Sequence, residues 1–362
     1  MERAAVIKKF LAAGMQLDKD ALEHFTKREE DIDRFLEFTR SGKVKPKIVT
    51  ADIIRKGLNP HPDQPSSLDL KITELKSEKR KVSVNDVVKS LTEKYESLKE
   101  IIEERSALAN LVSINKISQN AKEFSIIATV VSVEDGTLTV EDTTGELMVK
   151  FGKEESILPD DVIGLVCERK DGTDFVKEAV WPDVPLKREI KKSKAKILCT
   201  FLGAAKYAEA EELKVEAEGA VFVFGQKKKP DKALDTGKNK IIFLDEDLKE
   251  SKGSESSFKP PLLAELSGIS ILVLSKELVE KYKKYWEESD VARNLLKRRS
   301  IDPVQDLQEF CSHEAWILKD VPDIVTFSGN GRIENYKGTT IISVSEQDGY
   351  SIDLSTREVK KL

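Results

Sequence analysis

Between Phe124 and Val180 apolar and polar residues alternate, and turn dipeptides break the alternation at short intervals. Phe124 to Val133 turns at Asp135-Gly136. Leu138 and Val140 then alternate with Thr137, Thr139 and Glu141, and Thr144-Gly145 turns again before Leu147, Val149 and Phe151. Val162 to Val166, the turn Asp171-Gly172 and Phe175 to Val180 complete the series. A period of two bounded by glycine-bearing turns specifies short half-buried strands. Five such strands with these turns in roughly 70 residues suit a sheet closed into a barrel.

We assign residues 111–182 to this barrel, a five-stranded OB-fold. Around it the period changes. Residues 1–58 read as a small helical unit: Val6, Ile7, Phe10 and Leu11 share a face closed by Gly14, Asp18 caps a second helix with Leu22 and Phe25, and Ile32, Phe35 and Leu36 mark a third. Thr50 opens a fourth turn bearing Ile53 and Ile54. Residues 59–82, with Pro60, Pro62 and Pro65 followed by the charged run Lys76 to Lys81, read as a linker. Residues 83–110 hold a connecting helix capped by Ser83, whose stripe Val84, Val88, Leu91, Tyr95, Leu98 and Ile102 should pack on the barrel. From 187 to 362 short β-branched runs (Ile197 to Leu202, Ala220 to Phe224, Ile241 to Leu244, Ile269 to Leu274, Ile324 to Phe327, Thr339 to Val344) alternate with helical stretches, Ala204 to Glu216 and Lys276 to Arg299. That pattern predicts an α/β sandwich. The fold class is thus a multi-domain α+β chain: helical unit, OB-fold barrel and α/β sandwich.

Charge narrows the functions. Over a third of the residues are charged, yet the net charge is −5, so bulk charge does not hold this chain to nucleic acid. The candidates for DNA contact are local: Lys187, Arg188, Lys191, Lys192 and Lys194 after the barrel, Lys227 to Lys229, and Lys297, Arg298 and Arg299. The barrel's aromatics, Phe124, Phe151, Phe175 and Trp181, fall mostly at inward positions and acidic residues are scattered among them, so a protein contact outweighs a nucleic-acid groove there. Cys167, Cys199 and Cys311 lack pairing or zinc spacing and read as reduced core thiols. His24 reads as a helix-face residue and His61 as solvated. The start of the chain reads as an amphipathic charged segment rather than a leader, and no run nears the ~18 apolar residues of a membrane span, so a cytoplasmic location is expected.

Several stretches resemble a known family in sequence and in order: Ser113-Ile-Asn-Lys-Ile-Ser118, Glu141-Asp-Thr-Thr-Gly145, Trp181-Pro-Asp-Val-Pro-Leu-Lys-Arg188, Leu295-Leu-Lys-Arg-Arg299, Val321-Pro-Asp323 with Tyr336-Lys-Gly338, and Ile352-Asp-Leu-Ser-Thr356. Their arrangement is similar to that of the small subunits of archaeal D-family DNA polymerases, whose core is shared by eukaryotic replicative B-subunits. The resemblance implies a calcineurin-like phosphoesterase domain over 187–362, a large catalytic subunit as partner, and possible contacts with DNA and the sliding clamp. Active members of that family are two-metal 3′–5′ exonucleases.

The metal motifs of that family, followed onto this chain, meet residues most of which do not coordinate, Asp245 and Asp247 excepted. The former ligand positions are Ala204, Gln226, Asp245 with Asp247, Ser275, Asn330 and Arg332. Two ions about 4 Å apart need a shell of carboxylates and imidazoles, and from Lys187 onward the chain has one histidine, His313. The expectation is therefore a degenerate member with no catalytic residues, no metal and no cofactor, serving as an accessory subunit. Two rivals remain: a residual exonuclease working through Asp245 and Asp247, and a stand-alone single-strand binder using the barrel and the basic runs.

Overall fold

The computed structural model describes residues 3–27, 31–32, 35–36, 39, 48–50, 53–54, 69–75, 83–104, 108–152, 156–209, 219–225, 239–247, 257–304 and 316–362. They fall into two units, Met1–Ser67 and Leu68–Leu362. In the first, α1 (Arg3–Ala12), β1 (Gln16–Leu17), α2 (Lys19–Lys27) and β2 (Ile48–Val49) surround Phe10, Phe25 and Phe35. The ring centroids of Phe10 and Phe25 lie 4.7 Å apart. Gly14 adopts the left-handed conformation expected of a C-cap, and Asp18 Oδ1 accepts the N–H of Ala21 at 2.7 Å as an N-cap should. Of the four apolar residues predicted to share the face of α1, Val6 and Phe10 are buried while Ile7 and Leu11 are exposed. His24 Nε2 lies 3.0 Å from Asp31 Oδ2 on the helix surface.

The second unit begins with β3 (Leu70–Glu74), inside the stretch read from sequence as a linker. Its alternation is short and its flanks are charged, so only its tertiary partner makes it a strand. Outside 69–75, the stretch 59–82 lies beyond the described residues. Next comes α3 (Val84–Glu103), opened by a reciprocal cap: Ser83 Oγ accepts from Asp86 N, and Asp86 Oδ2 accepts from Ser83 N. Tyr95, Leu98 and Ile102 pack on Ile127, Val162 and Val180 of the barrel. The first half of the same stripe, Val84, Val88 and Leu91, is exposed, so the expected packing holds for half of the helix.

The barrel comprises β4 (Glu123–Glu134), β5 (Thr137–Asp142), β6 (Gly145–Lys150), β7 (Val162–Lys170) and β8 (Thr173–Val180), closed in the order β4-β5-β6-β8-β7. Alternation sends Ile126, Ala128, Val130, Leu138, Val140, Val149, Ile163 and Leu165 inward. Phe124 and Trp181 are buried as predicted, whereas Phe175 is turned outward and 40% exposed. Asp142 fixes the barrel mouth. Its Oδ1 accepts the N–H and hydroxyl of Thr144 at 2.7 and 2.6 Å and the N–H of Gly145 at 3.1 Å, and its Oδ2 accepts Ile114 N–H at 2.8 Å. Burial raises this carboxyl, but the bonds from Thr144, Ile114 and Gly145 outweigh it and leave it below the usual range. A depressed carboxyl contributes stability above its unfolded value of about 3.9, and that stability disappears as pH falls through the folded value. Asp142→Ala should therefore cost about 1–3 kcal/mol at neutral pH, and the gap to the parent chain should close below about pH 4, read by urea titration at both pH values.

The rest forms two facing sheets, built from β9 (Leu198–Gly203), α4 (Ala204–Glu209), β10 (Gly219–Phe224), β11 (Asn239–Leu244), β12 (Ser257–Phe258), β13 (Leu262–Leu266), β14 (Ile269–Val273), α5 (Lys276–Lys283), α6 (Glu288–Arg298), β15 (Ile324–Ser328), β16 (Arg332–Tyr336), β17 (Thr339–Val344), β18 (Gly349–Asp353) and β19 (Val359–Lys361). One sheet runs β12-β11-β10-β9-β18-β19 and the other β16-β17-β15-β14-β13-β3. Phe201, Phe222 and Ile242 of the first meet Ile271, Ile324 and Ile342 of the second in the shared core. Helices α5 and α6 and the short link between them cover the outer face of the second sheet through Tyr282, Trp286 and Leu295 on Leu272, Val325 and Phe327. The helix expected over Lys276 to Arg299 is thus two helices, broken after Lys283. Cys167 and Cys199 are buried, and burial pushes both thiols up, Cys167 to about 12. Cys311 lies outside the described residues.

Candidate functional site

In the sandwich β9, β10 and β11 run parallel, as do β14, β15 and β17. Their carboxyl ends meet along one crest, the place where ligands of open α/β sheets collect. Three contacts close it. Gly203 N donates to Asp348 O at 3.0 Å, Lys206 N donates to Glu346 O at 3.0 Å, and Lys276 N donates to Glu246 Oε1 at 2.8 Å. Gly331, in the left-handed region, presses against the Asp348 carboxylate, where a Cβ would collide with it.

The crest gathers most of the positions that the sequence singled out as candidate ligand positions. Ala204 opens α4 and faces the Gly225 corner. Asp245 Oδ1 accepts Asp247 N–H at 3.0 Å and so shapes its own turn. Ser275 caps α5 by accepting Leu278 N–H at 3.2 Å. Asn330 and Arg332 are exposed on the turn from β15 to β16. Gln226 and His313 lie outside the described residues.

The carboxylates of the crest have protein partners. Asp348 accepts from Ser345 Oγ at 2.6 Å and pairs with Lys361 Nζ at 2.7 Å. The bond from Lys361, then that from Ser345, holds its carboxyl below the usual range. Burial pushes the Glu246 carboxyl up, and the Lys276 N–H works against that shift. No group of three or more His, Cys, Asp or Glu side chains is placed to hold a metal ion among the described residues. The donors among the described residues do not by themselves fit a two-ion centre, which needs several carboxylates and imidazoles free to coordinate. Among the described residues the crest carboxylates Asp348 and Glu246 bind the crest's own loops.

The basic candidates divide sharply. Arg298 and Arg299, proposed from sequence as phosphate contacts, are withdrawn, because both are buried. Arg298 forms a two-pronged pair with Asp161 (2.8 and 3.1 Å) and stacks between Trp181 and Trp286, 4.5 Å from each ring centre. Arg299 donates to the carbonyls of Leu318 and Lys319. Arg188 is also committed: it donates to Pro322 O and Thr339 Oγ1 at 3.0 Å and pairs with Asp323. Lys297 sits over the Trp181 ring at 4.6 Å. Lys187, Lys191, Lys192 and Lys194 remain exposed on a segment without regular secondary structure, and Lys227 to Lys229 lie outside the described residues. Sequence reasoning missed the buried Lys94, whose Nζ donates to Asp160 O (2.7 Å) and Pro303 O (2.6 Å) beside the Asp161–Arg298 pair. Burial pulls its ammonium below the usual range. Its place amid the apolar residues of α3 was the only signal.

The chain is 26% identical over 244 residues to a DNA polymerase II small subunit of Archaeoglobus fulgidus, a match covering 60% of this chain and 50% of that protein. The chain is a distant relative of a polymerase small subunit. The match spans half the length of that relative. Among solved structures, the telomere capping protein Ten1 from Saccharomyces pombe matches at 23% identity over 20% of this chain and 78% of its own, with a TM-score of 0.18. That score is too low to speak for a shared fold. No family model matches the chain. Among the described residues no helix is long and apolar enough to cross a membrane.

Proposed function

We propose that this chain is a non-catalytic accessory subunit of a D-family DNA polymerase, binding and stabilising a large catalytic subunit and aiding its contacts with DNA or the sliding clamp. The observation that carries this reading is the identity over 244 residues with the small subunit of Archaeoglobus fulgidus. The state of the crest supports it. In this reading residues 187–362 derive from a calcineurin-like phosphoesterase whose ligand positions now hold Ala204, Ser275, Asn330 and Arg332, and whose loops are tied by Asp348, Lys361 and Glu246.

Co-expression with a D-family large subunit tests the proposal. The expected result is co-elution as a stable complex, with no digestion of single-stranded DNA by the purified chain in magnesium or manganese. Failure to co-elute overturns the accessory role. Manganese-dependent digestion that disappears on changing Asp245 and Asp247 to asparagine would establish the exonuclease reading instead.

A further inference from the structure

Between the barrel and β9 the chain runs from 181 to 197 without helix or strand, yet its backbone is pinned. Asp183 N donates to Lys297 O at 2.9 Å, Arg188 is held by Pro322, Thr339 and Asp323, and Ser193 N donates to Leu354 O at 2.8 Å. From this strap project Lys187, Lys191, Lys192 and Lys194, all exposed. None has an ion-pair partner among the described residues, and Glu189 is the strap's own exposed acid. Unpaired cations concentrated on a chain of net charge −5 call for an anionic partner.

Two further side chains say which kind. Leu186 is 83% exposed and Ile190 is 44% exposed, interleaved with the lysines. Phosphodiester backbone offers nothing to an exposed aliphatic side chain, and base stacking calls for aromatics. Of the aromatics at the strap, Trp181 is buried against Arg298, and Tyr336 donates its hydroxyl to Asp183 at 2.9 Å. We infer that the strap 186–194 is a docking surface for an acidic, aliphatic-rich segment of a partner protein, with Leu186 and Ile190 as apolar contacts and the four lysines as its charged rim. The pinned backbone lowers the ordering cost of that contact.

Binding of the full-length chain to three probes tests this: an amphipathic leucine–glutamate peptide, poly-L-glutamate and single-stranded oligothymidine. The peptide should bind about tenfold tighter than poly-L-glutamate, a difference of about 1.4 kcal/mol. Lys191→Glu/Lys192→Glu/Lys194→Glu should weaken peptide binding at least tenfold. Leu186→Ser should weaken it several-fold and leave the melting temperature unchanged, because that side chain supports nothing in the fold. Tighter binding of oligothymidine, insensitive to Leu186→Ser, would mark the strap as a nucleic-acid track and overturn the inference, as would binding of no probe. The inference stands apart from the polymerase reading: a chain that co-elutes with the large subunit but ignores the peptide sinks this inference alone.

Discussion

Asp161→Ala should destabilise the second unit by about 3–5 kcal/mol, the range for stripping a partner from a buried charge. Asp161 and Arg298 are almost completely shielded from solvent, and their pairing joins the loop before β7 to the end of α6. Burial pushes the Asp161 carboxyl up, while the pull of Arg298, the Leu158 N–H and Lys94 opposes it. Removing the carboxylate strands the guanidinium between Trp181 and Trp286 without its ion-pair partner, with Lys94 close by. Urea unfolding followed by tryptophan emission reads the loss directly, because both rings flank the guanidinium. The double change Asp161→Leu/Arg298→Met should recover most of it, since a buried pair replaced by apolar groups of similar size is often neutral or better. A single change costing under about 1 kcal/mol would show that the pair is hydrated.

The second large effect is expected at the crest. Gly203 ends β9 directly beneath the Ser345 and Glu346 carbonyls, and any Cβ there would run into both. Its N–H also donates to Asp348 O. The obstacle is backbone rather than a flexible side chain, so Gly203→Ala must push the 345–348 loop outward. Overpacking of about 1–3 kcal/mol plus a lost bond of about 1 kcal/mol gives an expected cost of about 2–4 kcal/mol. A lower urea midpoint with an unchanged slope is the signature. A midpoint within error of the parent would mean that the crest loops are not held against β9.

Much of this architecture was legible from sequence because it rests on local pattern. The barrel strands follow their alternation and their Asp-Gly and Thr-Gly turns, and Ser83 and Asp18 cap where their side chains permit. What escaped depends on distant partners. β16, Arg-Ile-Glu-Asn-Tyr, has no apolar periodicity and is a strand because β17 pairs with it through the Lys337-Gly338 turn. β3 looked like linker because its partner β13 lies far along the chain. Arg298 and Arg299 looked like surface because charge usually is; the helix periodicity of α6 places Arg298 on the same side as Val291 and Leu295, but Asp161 cannot be found from local spacing. At the candidate site the residues that line the crest were readable one by one, whereas the way Lys361, Ser345 and Glu246 tie the loops was not.

The pairing of β3 with β13 has a consequence for how the chain is made. The whole barrel is spliced between one edge strand of a sheet and the neighbour that strand requires. During synthesis β3 leaves the ribosome early and stays without its mate until the barrel has emerged and folded. Contacts this far apart along the chain form late and slowly. The sandwich is therefore the last part to assemble, and an unmated β3 is the segment most open to capture by a chaperone, or by a second nascent chain, in that interval.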